Sequence, residues 1–214
     1  MNWSLLSRAT LETLKMVGLS TLISVILGLP LGIIVRMTQK DGLWERPLLY
    51  RLLDIVINIF RSFPFIILII ILMPLSRLIV GRMVGTTAVI VPLSIAAAPF
   101  VARMVEQSLN EVDGGLIEAA LAMGSGSWDI IFRVLLPEAL PSLINGLTIT
   151  VINVVGYSAM AGAIGGGGLG DLAIRFGLQQ LNPSMLWSSI LVILILVHVI
   201  QALGNLAVRR SDHR

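Results

Sequence analysis

Five long apolar blocks alternate with short polar segments along the chain, at roughly residues 17–35, 63–80, 84–102, 142–164 and 186–208. A hydrocarbon core about 30 Å thick is crossed by roughly 20 residues of α-helix. Soluble core helices are shorter and keep a polar face. The pattern therefore predicts an all-α membrane protein with five transmembrane helices. The first block is too long for a signal-peptide core and has no small-x-small cleavage site, so it reads as a retained span. Residues 1–16, with Trp3, Leu5, Leu6, Leu11 and Leu14 among polar positions, read as an amphipathic lead-in at the membrane surface. Gly28, Pro30 and Gly32 predict a kink in the first span, which membrane helices tolerate when neighbours satisfy the freed carbonyls. Residues 52–62 are expected to continue helically into the second span, with Arg61 snorkelling or pairing at the interface. Asp54, two turns away on the same face, is too distant to be its partner.

Composition sharpens this picture. Of 214 residues, 56% are hydrophobic and 13% charged, about half the charged share of a soluble domain. The net charge is +3, and the basic residues form no patch interleaved with aromatics, which argues against nucleic acid. No cysteine is present, so disulfide and thiolate chemistry are excluded. With the N-terminus outside, ten basic residues fall on the cytoplasmic side: Arg36, Lys40, Arg46, Arg51, Arg61, Arg103, Arg133, Arg209, Arg210 and Arg214. Five fall outside: Arg8, Lys15, Arg77, Arg82 and Arg175. The positive-inside bias thus predicts the N-terminus outside and the C-terminus in the cytoplasm.

The longest segment between blocks, 103–141, is thereby placed in the cytoplasm. Asp113-Gly114-Gly115 predicts a turn and 116–123 a short helix, broken by Gly124-Ser125-Gly126. Ser127 is expected to cap a second helix with Asp129 in its first turn, and Pro137 and Pro141 to mark entry into the fourth span. Helix–break–helix with apolar faces suits a protein partner or the lipid headgroups.

Within this loop, residues 118–137 read E-A-A-L-A-M-G-S-G-S-W-D-I-I-F-R-V-L-L-P. This resembles the EAA signature of the permease subunits of bacterial ABC importers, with Glu118, Ala119, Ala120, Gly124, Leu136 and Pro137 at motif positions and Val134 where the family has Ile. The resemblance implies that loop 107–137 carries a coupling helix, between spans three and four, seated in a cleft of a cytoplasmic ATPase. Small Ala119 and Ala120 would allow close approach, Gly124 a sharp turn, and Glu118 a charged anchor. Stretches 58–66 (NIFRSFPFI), 97–106 (AAPFVARMVE) and 156–170 (GYSAMAGAIGGGGLG) are similar to methionine-type permeases. That similarity implies a single permease domain over 1–214 with five spans. It also implies a homodimer in the bacterial inner membrane, two ATP-binding subunits that hold ATP and Mg, an extracytoplasmic substrate-binding lipoprotein, and methionine, D-methionine or a related amino acid as cargo. No cofactor is expected on this chain, and no enzymatic activity of its own.

At 100° per residue, Ser142, Asn145, Gly146, Thr150, Asn153, Gly156, Tyr157 and Met160 share one arc of the fourth span, with Ile149 as the apolar exception. The opposite side, Leu143, Ile144, Leu147, Val151, Val154 and Val155, is suited to lipid. A stripe of small and polar residues serves helix packing or lines a path, and Asn145, Asn153, Tyr157 and Met160 are the path and gate candidates. Gly165–Gly170 contains a formal GxGxxG, but no strand precedes it and a dinucleotide site is unsupported. The adjoining G-L-G-D resembles intramembrane aspartyl proteases, whose chemistry needs a second carboxylate sharing a proton. The other aspartates are assigned to the opposite side, so a flexible or tightly turning outer loop is the better reading. His198, with Gln201 at i+3, is expected to make an interhelical hydrogen bond rather than hold a metal.

An ion-coupled carrier is the rival class. Carriers keep ionisable relays in their spans and often show inverted repeats. No Asp or Glu falls inside the five blocks, no such repeat is visible, and no P-loop is present, as expected when energy arrives from a separate subunit.

Overall fold

In lipid, an apolar segment must satisfy its own backbone groups, and a helix does so within one chain; glycine and proline then set where each helix stops or bends. A computed structural model describes residues 3–211. Asp212, His213 and Arg214 lie outside the described residues. The chain forms α1 (Trp3–Thr38), α2 (Pro47–Ser62), α3 (Phe65–Val80), α4 (Thr86–Asn110), α5 (Gly114–Ala122), α6 (Ser127–Ile130), α7 (Leu136–Glu138), α8 (Leu140–Gly162), α9 (Gly168–Leu172) and α10 (Pro183–Ser211). A π-helical stretch, Ile131–Leu135, joins α6 to α7, and a second, Ala173–Gln179, follows α9. Among the described residues there is no strand. Helices α1, α4, α8 and α10 are each long and apolar enough to cross a membrane, and α2 with α3 makes a fifth candidate if the bent pair counts as one span.

Residues 52–62 are helical as expected, but the bend corrects the expectation that they run on unbroken into the second span. The chain turns by 106° between α2 and α3, because Pro64 has no N–H to give and holds its predecessor, Phe63, in an extended conformation at ψ 130°. The expected lead-in is also part of a longer element. Residues 3–16 run into the first block as one helix through Pro30, and Leu6, Ala9, Thr13 and Met16 are buried against the rest of the protein.

α4 is the axis of the fold, and α1 lies along it in a seam of small residues. Ser20, Ser24, Gly28 and Gly32 recur every fourth position on α1 and meet Ile90, Ser94, Ala98 and Ala102, spaced likewise on α4. Ser24 donates to the Ser94 carbonyl at 3.0 Å and Ser20 to that of Ile90 at 3.4 Å. At Gly28 a Cβ would lie 2.6 Å from both the Ala98 carbonyl oxygen and the Val101 Cβ. Small residues every four positions let membrane helices approach closely; here the glycines make the seam. Gly28→Ala is therefore expected to destabilise the chain by about 1–3 kcal/mol through overpacking, read as a lower thermal midpoint of the detergent-purified protein. An unchanged midpoint would mean the helices part without cost.

Two apolar clusters stack along this axis. One joins Met16, Leu93, Val154, Val155 and Ala161; the other joins Met37, Val101, Val105, Leu109, Ile130, Ile131 and Leu135. Val154 and Val155, expected to face lipid, are thus inside the protein, and Val151 and Leu143 pack against these clusters. The apolar side of α8 builds the core because α1, α3 and α4 lie against it. His198 likewise differs from expectation: its Nδ1 meets the Leu194 carbonyl and Gln201 bonds Asn205, both within α10.

Candidate functional site

Glycine and aspartate set the loop between α4 and α8. Asp113 caps α5 by accepting from the Gly115 N–H at 2.8 Å, so the helix begins at Gly114, two residues before the expected start. Gly124 ends this segment at φ +79°, a left-handed conformation that costs a glycine nothing. The next helix is capped by Gly126 without a side-chain bond. Ser127 is therefore the first helical residue rather than the cap, while Asp129 does lie in the first turn and pairs with Arg133 at 3.3 Å.

Of the motif residues, Glu118, Ala119, Gly124 and Pro137 are exposed and Leu136 is half-buried. Ala120 departs from the expected docking role: it is buried at 3% exposure among Met37, Val101, Val105 and Leu109. Ala120, Ile130, Ile131 and Leu135 root the loop in the bundle, while Leu116, Leu121, Met123, Trp128 and Phe132 stand exposed around Glu118 and Ala119. Exposed apolar groups gathered on one short loop mark a surface for a partner. Trp44 meets Trp128 edge-on at 5.2 Å and Trp128 stacks on Phe132 at 6.0 Å, which ties the 39–46 turn to this surface.

The polar stripe of α8 divides in two. Its inner edge packs: Ser142 donates to Ser108 at 3.0 Å, Gly146 lies against Met104, and Thr150 is buried. Its outer edge, Asn145, Ile149, Asn153, Gly156 and Met160, is exposed. Tyr157 stands between, stacked on Phe65 at 4.5 Å and 6.3 Å from Phe100. Arg61 lies over the other contact of that ring system, 5.2 Å from the Phe100 centroid. The three stretches 58–66, 97–106 and 156–170, remote in sequence, thus meet at one place.

One constellation was missed by sequence reasoning. Arg103 pairs with Asp54, with Glu106 at 2.7 Å and with the Asn58 side-chain oxygen at 3.0 Å, while Asn58 donates to Asp54 at 3.1 Å. Glu106 is 3% exposed. Two carboxylates and one guanidinium therefore clamp α2 to α4. Arg103 and Glu106 lie at i and i+3 just beyond the third apolar block, on one helical face, and that spacing was the available signal.

At the other end of the bundle the glycine loop is tightly turned. Gly165, Gly167 and Gly168 have φ between +74° and +80°. The Gly168 N–H donates to Glu12 at 3.1 Å and the Leu169 N–H to the Thr13 hydroxyl at 2.9 Å. Asp171 pairs with Arg175 at 2.9 Å. Among the described residues no group of His, Asp and Glu is arranged to hold a metal ion.

Residues 28–214 match the family described as binding-protein-dependent transport system inner membrane component. The probable D-methionine transport system permease protein MetI of Vibrio cholerae is 49% identical over 214 residues, covering 100% of this chain and 95% of its own. The methionine import system permease protein MetP of Bacillus subtilis is 46% identical over 178 residues, 83% of this chain and 80% of that one. A solved structure of the MetNI methionine ABC transporter in an inward-facing conformation superposes with TM-score 0.97 at 45% identity, covering 100% of this chain and 98% of that chain. An amino acid ABC transporter at 21% identity and TM-score 0.79 shares the fold.

Proposed function

The chain belongs to the family of binding-protein-dependent transport system inner membrane components, and on that premise we propose that it is the methionine-translocating permease of an ATP-driven importer. It is a multi-pass protein of the bacterial inner membrane and leaves ATP hydrolysis, with ATP and Mg, to a separate subunit. The observation that carries the methionine reading is the end-to-end overlay on a solved methionine transporter.

The finer reading has five spans, the bent α2–α3 pair counting as the second, with the N-terminus outside and the C-terminus in the cytoplasm. Two copies form the pathway, two ATPase subunits bind from the cytoplasm, and a substrate-binding lipoprotein delivers methionine or D-methionine from outside. Glu118, Ala119 and Gly124 present α5 to the ATPase cleft. Ala120 and Leu136 anchor that helix to the bundle, with exposed Pro137 at the start of the run into α8, so closure of the ATPases moves α4 and α8 together. The exposed edge of α8, with Asn145, Asn153 and Met160, lines the passage, and Tyr157 borders it. Met160 is suited to gating because its unbranched side chain repacks readily.

The test is uptake by proteoliposomes containing permease, ATPase and binding protein. Methionine uptake is expected to require ATP and the binding protein and to persist in ionophores while ATP is maintained. Uptake abolished by ionophores would replace this reading with an ion-coupled carrier, and preferential uptake of another amino acid would replace the substrate.

A further inference from the structure

Polar side chains on the free surface of a membrane span need an account, because hydrocarbon offers them no hydrogen bond. Between Leu191 and Ala207, α10 carries three: His198 and Asn205 are exposed and Gln201 is half-buried. With exposed Leu194 they share an arc of about 60° at 100° per residue. The apolar residues Ile195, Val199 and Leu206, also exposed, share a separate arc about 110° further round. α10 runs 29 residues. His198 lies about 22 Å from Pro183 and about 20 Å from Ser211 at 1.5 Å per residue. A hydrocarbon core about 30 Å thick therefore encloses it wherever the core falls between those ends. His198 Nδ1 meets the Leu194 carbonyl and Gln201 donates to Asn205. The second imidazole nitrogen and the Gln201 side-chain oxygen find no partner among the described residues.

This stripe continues the exposed edge of α8. A Cβ on Gly204 would collide with the Thr148 side chain, which marks where the two helices touch. They run in opposite directions: Leu186, near the start of α10, lies against Gly177 just after α9, and α9 lies against Gly162 at the end of α8. On α8 the edge Asn145, Ile149, Asn153, Gly156 and Met160 is centred about 100° on from Thr148, and on α10 the stripe is centred about 90° on from Gly204. Similar rotations in the same sense on antiparallel neighbours lead to one side of the pair. Asn153, five residues after Thr148, and His198, six before Gly204, then stand level to within about 1.5 Å. On the side of α8 opposite Thr148, Tyr157 stacks on Phe65. The edge is thus flanked by α10 on one side and by the start of α3 on the other.

Two copies related by a twofold axis present the same face to each other. With the α8 edges at that axis, the flank carrying α10 in one copy meets the flank carrying α3 in the other. Tyr157, nine residues past Thr148, is level with Ile195, so the elbow before α3 lies opposite the Leu194–His198 end of the stripe. Ser62 and Phe63 of that elbow are both exposed and offer it a hydroxyl and an apolar ring. We propose that the α10 stripe is one half of the seam between two permease copies, and that the α2–α3 elbow of the second copy is the other half. His198 and Gln201 are answered across this seam, which closes the passage on either side of the α8 edges. The proposal rests on the two-copy pathway above and adds which surfaces meet.

The experiment places the photocrosslinker p-benzoylphenylalanine at Leu194 or His198, and for comparison at Ile195 or Val199, in the permease–ATPase complex assembled in membranes. Irradiation is expected to join two permease chains from Leu194 and His198, with at least tenfold lower yield from Ile195 and Val199. Fragment masses are expected to place the attachment within residues 58–67 of the second copy. Leu194, an exposed apolar position, carries the test if the probe at His198 disturbs folding. Equal yields from the two flanks, attachment to lipid alone, or attachment outside 58–67 would overturn the proposal. Failure of the two-copy reading would be visible separately, as a parent complex whose native mass contains a single permease chain.

Discussion

Arg103→Ala is expected to destabilise the folded chain by about 3–5 kcal/mol, because it strips the counter-charge from two carboxylates at once. Glu106 is 3% exposed and cannot turn to bulk water, while Asp54, its side chain 30% exposed, reaches Arg103 from another helix and holds α2 against α4. Arg103→Lys should recover little. A lysine is a point charge, whereas the guanidinium extends one arm to Glu106 and the other to Asp54 and Asn58. The informative control is the neutral combination Asp54→Asn, Arg103→Met, Glu106→Gln. Removing all three charges removes the desolvation cost with the attraction, so this variant should lie closer to the parent than Arg103→Ala does. Thermal midpoints in detergent and recovery of the assembled complex measure both. An Arg103→Ala protein as stable as the parent would show that the clamp contributes nothing.

The second large effect concerns transport rather than folding. Glu118→Arg and Ala119→Trp are each expected to lower ATP-driven uptake at least tenfold, a loss equivalent to about 1.4 kcal/mol. Thermal stability and the ATPase activity of the complex should be retained. Both side chains are exposed, so the chain's own packing does not depend on them. Both lie on the helix whose other side is rooted through Ala120 in the cluster with Val101, Val105 and Leu109 of α4. Displacement of α5 is thereby transmitted to the axis of the bundle. On the proposed docking of α5, a reversed charge or an indole is expected to loosen the fit to the partner while leaving that root intact. Full uptake in both variants would remove α5 from the coupling path. Ala120→Leu should differ from both, because it disturbs the interior and would lower stability.

The contrast between Ala119 and Ala120 also shows where sequence reading reached its limit. The motif gave the position and length of the loop, and Gly124 gave its turn, because both depend on local chemistry. Which alanine faces outward depends on how the loop docks onto α1 and α4, which no local pattern records. The same holds for α8. Its periodicity separated a polar from an apolar side correctly, but the assignment of Val154 and Val155 to lipid assumed that a membrane helix turns its apolar face outward. In a bundle whose neighbours are equally apolar, that face is free to form the interior. The small-residue spacing of α1 was legible as Gly28 and Gly32, though it was read as a kink; its meaning emerged only against Ala98 and Ala102. The ion cluster was hidden for a related reason. Asp54 and Arg103 belong to different helices, and only the packing of α2 on α4 brings them together.

The bonds from Glu12 and Thr13 to the amides of Gly168 and Leu169 span 156 residues. α1 is translated well before the glycine turn, so these two bonds close only once the 156 residues between their partners have been made, although Glu12 can pair with Arg8 within α1. A product truncated before this glycine turn would lack both bonds, leaving that end of α1 to its packing along α4.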